Sequence, residues 1–385
     1  MKSVSSIGES FPTTHQVLRE WPPGYGGIER VAHELAEVWG GTVWSFDAQG
    51  RGWAEQDALP VTYKRRRLFC TPSIGRLVLP LPSRALWALL TSSHPLHGHL
   101  PSPGVLLLLV LARFVRPKRR ITAHWHFFFE PRGSLRQRVF GFYQWLALRV
   151  VAQLSGVVTT SPLLRDELVR SGCHSNRLIV LPCCLSAEQE NQGLAIQRLP
   201  PSSIVKDPMR VLFIGRLGSY KRLDWLMESL SQLITPWCLD VVGDGPSRAA
   251  FEAMASDLFS SSTLGEVQFF GQSSELDKNH RLRLADVLVL PSDSSNEAFG
   301  IVQLEAMASG LPALAFQLPR SGMGWVGELP DLPWSQNQKD LGMVLQRLAD
   351  DPLLRCHLGA QARQRYVDVF SRKIWLDQLT QWTHA

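Results

Sequence analysis

The clearest alternation of apolar and polar positions lies in the second half of the chain. Arg210 to Ile214, Leu239 to Val242, Val267 to Phe270, Asp286 to Leu290 and Pro312 to Phe316 are short apolar runs that read as buried strands. Between them, Lys221 to Ile234, Arg248 to Leu258 and Gly300 to Ser309 repeat their apolar positions at helical spacing. Strands alternating with helices of about 10–15 residues predict a parallel, doubly wound sheet. The first half carries the same signals less regularly. Thr42 to Phe46, Ile121 to His124, Gly156 to Thr160 and Arg177 to Leu181 read as strands, Glu29 to Trp39 and Gln137 to Ala152 as helices. LPPSSIVKDPMR, residues 199–210, is the best candidate linker.

A chain of 385 residues suits two domains of about 150–200 residues each. With 45% hydrophobic and 19% charged residues it can bury ordinary cores. The six cysteines lack CxxC spacing, which predicts reduced, cytosolic thiols and no structural zinc. The opening MKSVSSIGESFPTTHQ has no apolar core of the secretory type, and a cytoplasmic location is expected. The most apolar run, Val105 to Ala112, is far short of the roughly 20 residues of a spanning helix and reads as a buried helix.

The net charge of +6 hides an asymmetry: residues 1–205 hold 23 Lys/Arg against 13 Asp/Glu, and the remainder 17 against 21. Cations cluster at Lys64 to Arg67 and Arg116 to Arg120, followed by Arg132, Arg136 and Arg138. They are either solvated faces or attractors of phosphates, such as those of an anionic lipid surface. Nucleic-acid binding would need aromatics interleaved on an exposed sheet or a recognition helix; neither pattern is present, and no nucleic-acid partner is expected.

Ligands of doubly wound sheets bind beyond the carboxyl ends of the strands, so residues that follow strands matter most. Gly215, Arg216 and Lys221 in GRLGSYK follow one strand, and a guanidinium with an ammonium suits a diphosphate. In EAFGIVQLE, Glu297 precedes a helix expected to open at Gly300 and to carry Glu305 in its second turn. That arrangement offers backbone N–H groups to an anion and two carboxylates to sugar hydroxyls. Each motif has a bland reading too, as a solvated pair or as an acid complementing a helix dipole. PPGYGGIER brings Gly24, Gly26 and Gly27 before another helix, without the spacing of a dinucleotide or P-loop motif. His94, His97, His99, His124 and His126 recur at spacings of two or three, but no carboxylate or cysteine completes a zinc pattern, so no metal is expected. A histidine just past a strand can instead donate to a substrate hydroxyl. GxSxG, HExxH and paired CxxC are absent.

Taken together, PPGYGGIERVAHELA, HGHLPSP, ITAHWHF, VLFIGRLGSYKRLDWLMESL, VVGDGP, VQFFGQ, ADVLVLPSDSSNEAFGIVQLEAMASGLPALAF and SGMGWV resemble, in order, the retaining glycosyltransferases of family 4. The resemblance spans roughly residues 21–330. DPLLRCHLGAQARQRYVDVFS is similar to the family's tail.

The resemblance implies a GT-B fold: an α/β architecture of two Rossmann-like domains whose parallel sheets face a central cleft. Residues 1–203 would form the acceptor-side domain and 207–370 the nucleotide-sugar domain, with a last helix within 371–385 crossing back. It implies that Arg216 and Lys221 hold the donor's diphosphate and that Glu305 binds the ribose hydroxyls. Glu297 would face the transferred sugar, with backbone contacts from Phe299, Gly300 and Ile301. Gly27 would let its loop close over the diphosphate, and Gly243, Asp244 and Gly245 would lie near the nucleotide. His124 would contact the transferred sugar, His126 being the poorer alignment. The implied activity is metal-independent, retaining transfer of a hexose or similar sugar, without a cofactor. The donor would be a nucleotide diphosphate sugar; the acceptor would be lipid-linked or a polysaccharide, at the inner face of the cell membrane. Rival readings are an epimerase or phosphorylase of the same fold, or a catalytically idle nucleotide-sugar binder. The chain departs from the family after SGMGWV, where GELPDLPWSQNQKD replaces a glycine-led strand, and around residues 51–104, which hold few landmarks.

Overall fold

The computed structural model describes residues 11–22, 26–46, 61–73, 77–130, 135–198, 208–260 and 264–384. Gly24, Arg132 and most of the candidate linker lie outside the described residues. The chain divides into two compact units, residues 1–181 with 376–385, and residues 182–375.

The first unit is built on seven parallel strands: β1 (His15–Leu18), β2 (Thr42–Phe46), β3 (Lys64–Leu68), β4 (Leu96–Leu100), β5 (Ile121–Trp125), β6 (Gly156–Thr159) and β7 (Leu178–Val180), in the order β3-β2-β1-β4-β5-β6-β7. Its helices are α1 (Gly27–Trp39), α2 (Arg84–Thr91), α3 (Pro103–Val115), α4 (Leu135–Val151) and α5 (Pro162–Arg170). Every residue of β2, β4 and β5 is buried, as expected of strands covered on both faces. Three strands escape the sequence reading, β3 because Lys64 to Arg67 reads only as a basic cluster. β1 is short, and β4, LHGHL, is disguised by two histidines and a glycine.

The basic cluster Lys64 to Arg67 is an edge strand rather than a merely solvated face. Arg65 and Arg67 lie over the Trp21 ring and Arg66 over Trp44. Charge on an edge strand discourages pairing with another chain. In the second cluster Arg119 is buried, its guanidinium donating to the carbonyl oxygens of His94 and Leu89. The apolar run Val105 to Ala112 corrects a second expectation. It lies in α3, which buries Val105, Leu108, Leu109 and Ala112 but exposes Leu107, Val110 and Phe114.

The second unit carries β8 (Met209–Ile214), β9 (Trp237–Val242), β10 (Gly265–Gly271), β11 (Val287–Leu290) and β12 (Ala313–Ala315), all parallel, in the order β10-β9-β8-β11-β12. Its helices are α6 (Ala187–Leu194), α7 (Leu223–Leu230), α8 (Arg248–Phe259), α9 (Glu275–Leu284), α10 (Val302–Ala308), α11 (Met323–Val326), α12 (Gln338–Asp350) and α13 (Pro352–Arg365). The chain runs outward from β8 through β9 and β10, then returns to the other side of β8 as β11. The order therefore reverses between β8 and β11, where such sheets open a crevice at their carboxyl ends.

Two helix boundaries differ from expectation. Lys221 belongs to a 3₁₀ turn, Ser219–Lys221, because Arg222 adopts a left-handed conformation (φ 50°) that separates the turn from α7. Likewise Gly300 (φ 73°) stands before α10, so Glu305 sits in that helix's first turn and not its second.

A last helix, α14 (Arg372–His384), groups from Leu376 onward with the first unit. Its Trp382 packs on Trp39 and His97, with ring centroids 5.6 and 5.7 Å away, and Arg120 donates to the Trp382 and Thr383 carbonyl oxygens. Among the described residues no helix is long and apolar enough to cross a membrane.

Candidate active site

The switch point of the second sheet gathers the acid and base that the sequence singled out. Lys221, carried by the loop after β8, is buried and ion-paired with Glu297 in the loop after β11. Burial alone would depress the lysine, but the Glu297 carboxylate, aided by Tyr220, more than offsets it and holds the ammonium above its ordinary value. Glu297 is fixed in turn by Ser321 Oγ, which donates to its carbonyl oxygen at 2.6 Å.

Two contacts stitch the same loops together and were invisible in the sequence. Arg222 donates to both carboxylate oxygens of Asp224 and, at 3.2 Å, to Asp293; the Asp293 N–H bonds the Tyr220 carbonyl oxygen. Arg222 also lies 3.5 Å over the Trp225 ring.

Glu305 is buried in α10 and meets Lys278 Nζ of α9 at 2.9 Å; Lys278 also pairs with Glu275. Lys278 sits on a polar helix far along the chain, and nothing in its spacing marks it. Arg216 is exposed and makes no ion pair among the described residues. Phe299 is buried, its ring edge-on to Phe370 and Trp325, which anchors the stretch through Ile301 that leads into α10.

The glycines serve loop packing. A Cβ on Gly243 (φ 134°) would collide with the Gly215 carbonyl oxygen, and one on Gly245 with that of Leu217. The backbone bonds Gly215 N–H to Val242 O (2.9 Å) and Leu217 N–H to Asp244 O (3.0 Å) complete this junction. Asp244 itself is half exposed, beside Arg248 at 3.7 Å. The loops after β8 and β9 thus lie backbone to backbone, and Gly215 lies under the Lys221 side chain.

Gly27 and His124 belong to the first unit. Gly27 opens α1 behind the N-cap Gly26. His124 lies inside β5, in register with His99, whereas His126 is the first residue past the strand. A post-strand donor, as read from the sequence, therefore corresponds in position to His126. Strand alternation and register place His97, His99, His124 and His126 on one face of β4 and β5.

All four imidazoles are buried, and desolvation pushes each well below the usual histidine range, His124 to about 3. They are neutral at pH 7. Gln16 Nε2 donates to the Ala32 carbonyl, so its oxygen accepts from His99 Nε2–H at 2.8 Å. His99 Nδ1 then accepts from His126 Nε2–H at 2.9 Å, which settles both tautomers. His97 Nδ1 bonds Thr122 Oγ1, and His124 stacks on His126 at 4.2 Å. Neither His124 nitrogen has a hydrogen-bond partner among the described residues. Ring nitrogens of His97, His99 and His124 come within 4.8 Å of one another, a set able to accept a metal ion. Sequence reasoning set metal aside because it looked for a carboxylate or a cysteine.

Two parallel Rossmann-like sheets, one with a cation–carboxylate pair at its switch point, define the class: a two-domain α/β protein of the GT-B type. Residues 25–189 match the family model for glycosyltransferase family 4, and residues 197–365 that for glycosyl transferases group 1; the chain belongs to this family. It is 24% identical over 314 residues to O-antigen chain mannosyltransferase C of Escherichia coli, covering 79% of each chain. It is 27% identical to D-rhamnosyltransferase WbpZ of Pseudomonas aeruginosa over 62% of this chain and 61% of that one. Among solved structures it resembles Anabaena HepE in complex with UDP, with a TM-score of 0.69 and 17% identity, over 96% of this chain and 98% of that one.

Proposed function

We propose that the protein moves a hexose or similar sugar from a nucleotide diphosphate donor to a lipid-linked or polysaccharide acceptor in envelope glycan biosynthesis, with retention of configuration. The observation that carries this reading is the buried Lys221–Glu297 pair at the switch point. An incoming diphosphate offers Lys221 a second anion and frees Glu297 for a sugar hydroxyl. Arg216, exposed and without an ion pair among the described residues, is free to join it on the phosphates. Glu305 takes the ribose hydroxyls, and the backbone from Phe299 to Ile301 borders sugar and phosphate. Gly27 borders the diphosphate, and His124, neutral, donates to the sugar. The GT-B relatives whose names include a mannosyltransferase and a rhamnosyltransferase support the sugar class, and the neighbour solved with UDP supports a nucleotide donor.

In the reaction the bond from the anomeric carbon to the phosphate oxygen breaks as the acceptor oxygen attacks from the same face. The departing diphosphate takes the acceptor's proton. Negative charge grows on the leaving group, where Lys221 and Arg216 stabilise it, a role that in other enzymes falls to a metal. The favoured place of action is the inner face of the cell membrane, supported by the cationic excess of the first half.

Thermal shift against UDP-, GDP-, ADP- and dTDP-sugars identifies the donor, because a ligand of the native state raises its melting temperature. With that donor, Lys221→Ala and Glu297→Ala are each expected to lower turnover by about 10²–10³. Near wild-type transfer by both variants refutes the assignment. Donor binding without any turnover by the wild type would instead leave a nucleotide-sugar binder.

A further inference from the structure

The three neighbouring helices α2, α3 and α4 carry apolar residues on the outside as well as the inside. α3 packs against both α2 and α4. Its outer positions Leu107, Val110 and Phe114, and Val139, Phe142 and Leu146 of α4, fall at i, i+3 and i+7, so each helix presents a continuous apolar stripe to solvent. Exposure is large: Phe114 84%, Phe142 66%, Trp87 of α2 64%. The opposite sides of α3 and α4 bury Leu108, Leu109, Ala147 and Leu148 in the unit's core. A soluble monomer rarely leaves so many large side chains bare on adjacent elements.

The charge around this face has one sign. From residue 58 to residue 165 the chain holds sixteen Lys/Arg and a single acid, Glu130. Arg84, Arg113, Arg138 and Arg149 lie exposed on the same three helices, and Arg149 sits 4.6 Å over the Trp145 ring. Aromatic rings with arginines beside them suit the boundary between headgroups and acyl chains, where rings enter and cations remain at the phosphates. A second copy of this chain fits less well, since it would set arginine against arginine with no acid between them.

We infer that the outer face of α2, α3 and α4 is a membrane-docking surface that inserts its aromatic side chains into an anionic lipid leaflet. Charge brings the face to the leaflet, and apolar burial holds it there. Attachment therefore survives part of the screening that would abolish a purely electrostatic contact. The inference stands on the exposed face and not on sugar transfer, so either can fail without the other.

The test is flotation of the full chain with vesicles of phosphatidylcholine alone or mixed with phosphatidylglycerol, at about 0.1 M and about 0.5 M salt. The comparison protein is the triple variant Phe114→Ser, Phe142→Ser, Trp145→Ser; all three positions are exposed, and a melting temperature equal to that of the wild type reports an intact fold. The wild type is expected to float with the anionic vesicles and to keep part of that binding at the higher salt. The variant is expected to bind at least about tenfold more weakly at both salts. Equal binding by the variant, or no binding of the wild type to anionic vesicles, overturns the inference. So does a dimer, in vesicle-free solution, that the triple variant converts to monomer.

Discussion

Each unit holds a cluster of buried polar side chains, and the two clusters are built in opposite ways. In the second unit Lys221 faces Glu297 and Lys278 faces Glu305, so charge is kept and paired. In the first, four histidines and a glutamine cluster on one face of the sheet, each imidazole held neutral by desolvation. The difference is chemical. Each ammonium of the second unit's cluster is largely buried beside a carboxylate, which offsets the desolvation of both groups. Neutral imidazoles can be buried without a counter-charge, each ring losing only its hydration. A cation among them would be costly in a dry layer with no carboxylate.

That contrast can be broken first at the ion pair. Lys221→Met leaves the Glu297 carboxylate without its cation and is expected to lower stability by about 3 kcal/mol, read by urea denaturation. Adding Glu297→Leu should restore most of that loss, yet turnover should stay abolished in both variants. Equal stability of the two would show that the pair is not coupled. Next in size is the loop junction. Gly243→Ala drives a Cβ into the Gly215 carbonyl at a backbone angle that favours glycine, and is expected to cost about 2 kcal/mol and to weaken nucleotide affinity measured by calorimetry. An unchanged affinity would place this loop away from the nucleotide.

At pH 7 the smallest effect belongs to the histidine layer. Folding lowers the imidazole pKa, so the unfolded chain binds more protons as pH falls below about 6.5. The stability from these neutral rings is present above that value and fades on acidification, for His124 down to about 3. Each ring contributes up to about 1.4 kcal/mol per pH unit within its window. His124→Leu replaces a ring without hydrogen-bond partners among the described residues, so it should leave stability at pH 7 unchanged or slightly higher and flatten the acid slope of thermal melts. A slope identical to the wild type's would remove His124 from the titrating set.

Chain pattern alone determined much of this protein. Strands β8, β9 and β11 are mostly apolar runs closed by glycine or proline, and a covered parallel sheet favours such runs. Lys221, Glu297 and Glu305 were legible because they follow those strands at short spacing. β4 was not, since LHGHL buries histidines where the pattern asks for valines, and only the neighbouring strands make those positions interior. The tertiary structure decided the rest. Lys278 is brought to Glu305, Arg222 to Asp293 and Gln16 to His99 from 27, 71 and 83 residues away along the chain. Local periodicity reports which side of an element is apolar. Which polar groups meet depends on strand order and register, and those follow from packing over the whole sheet.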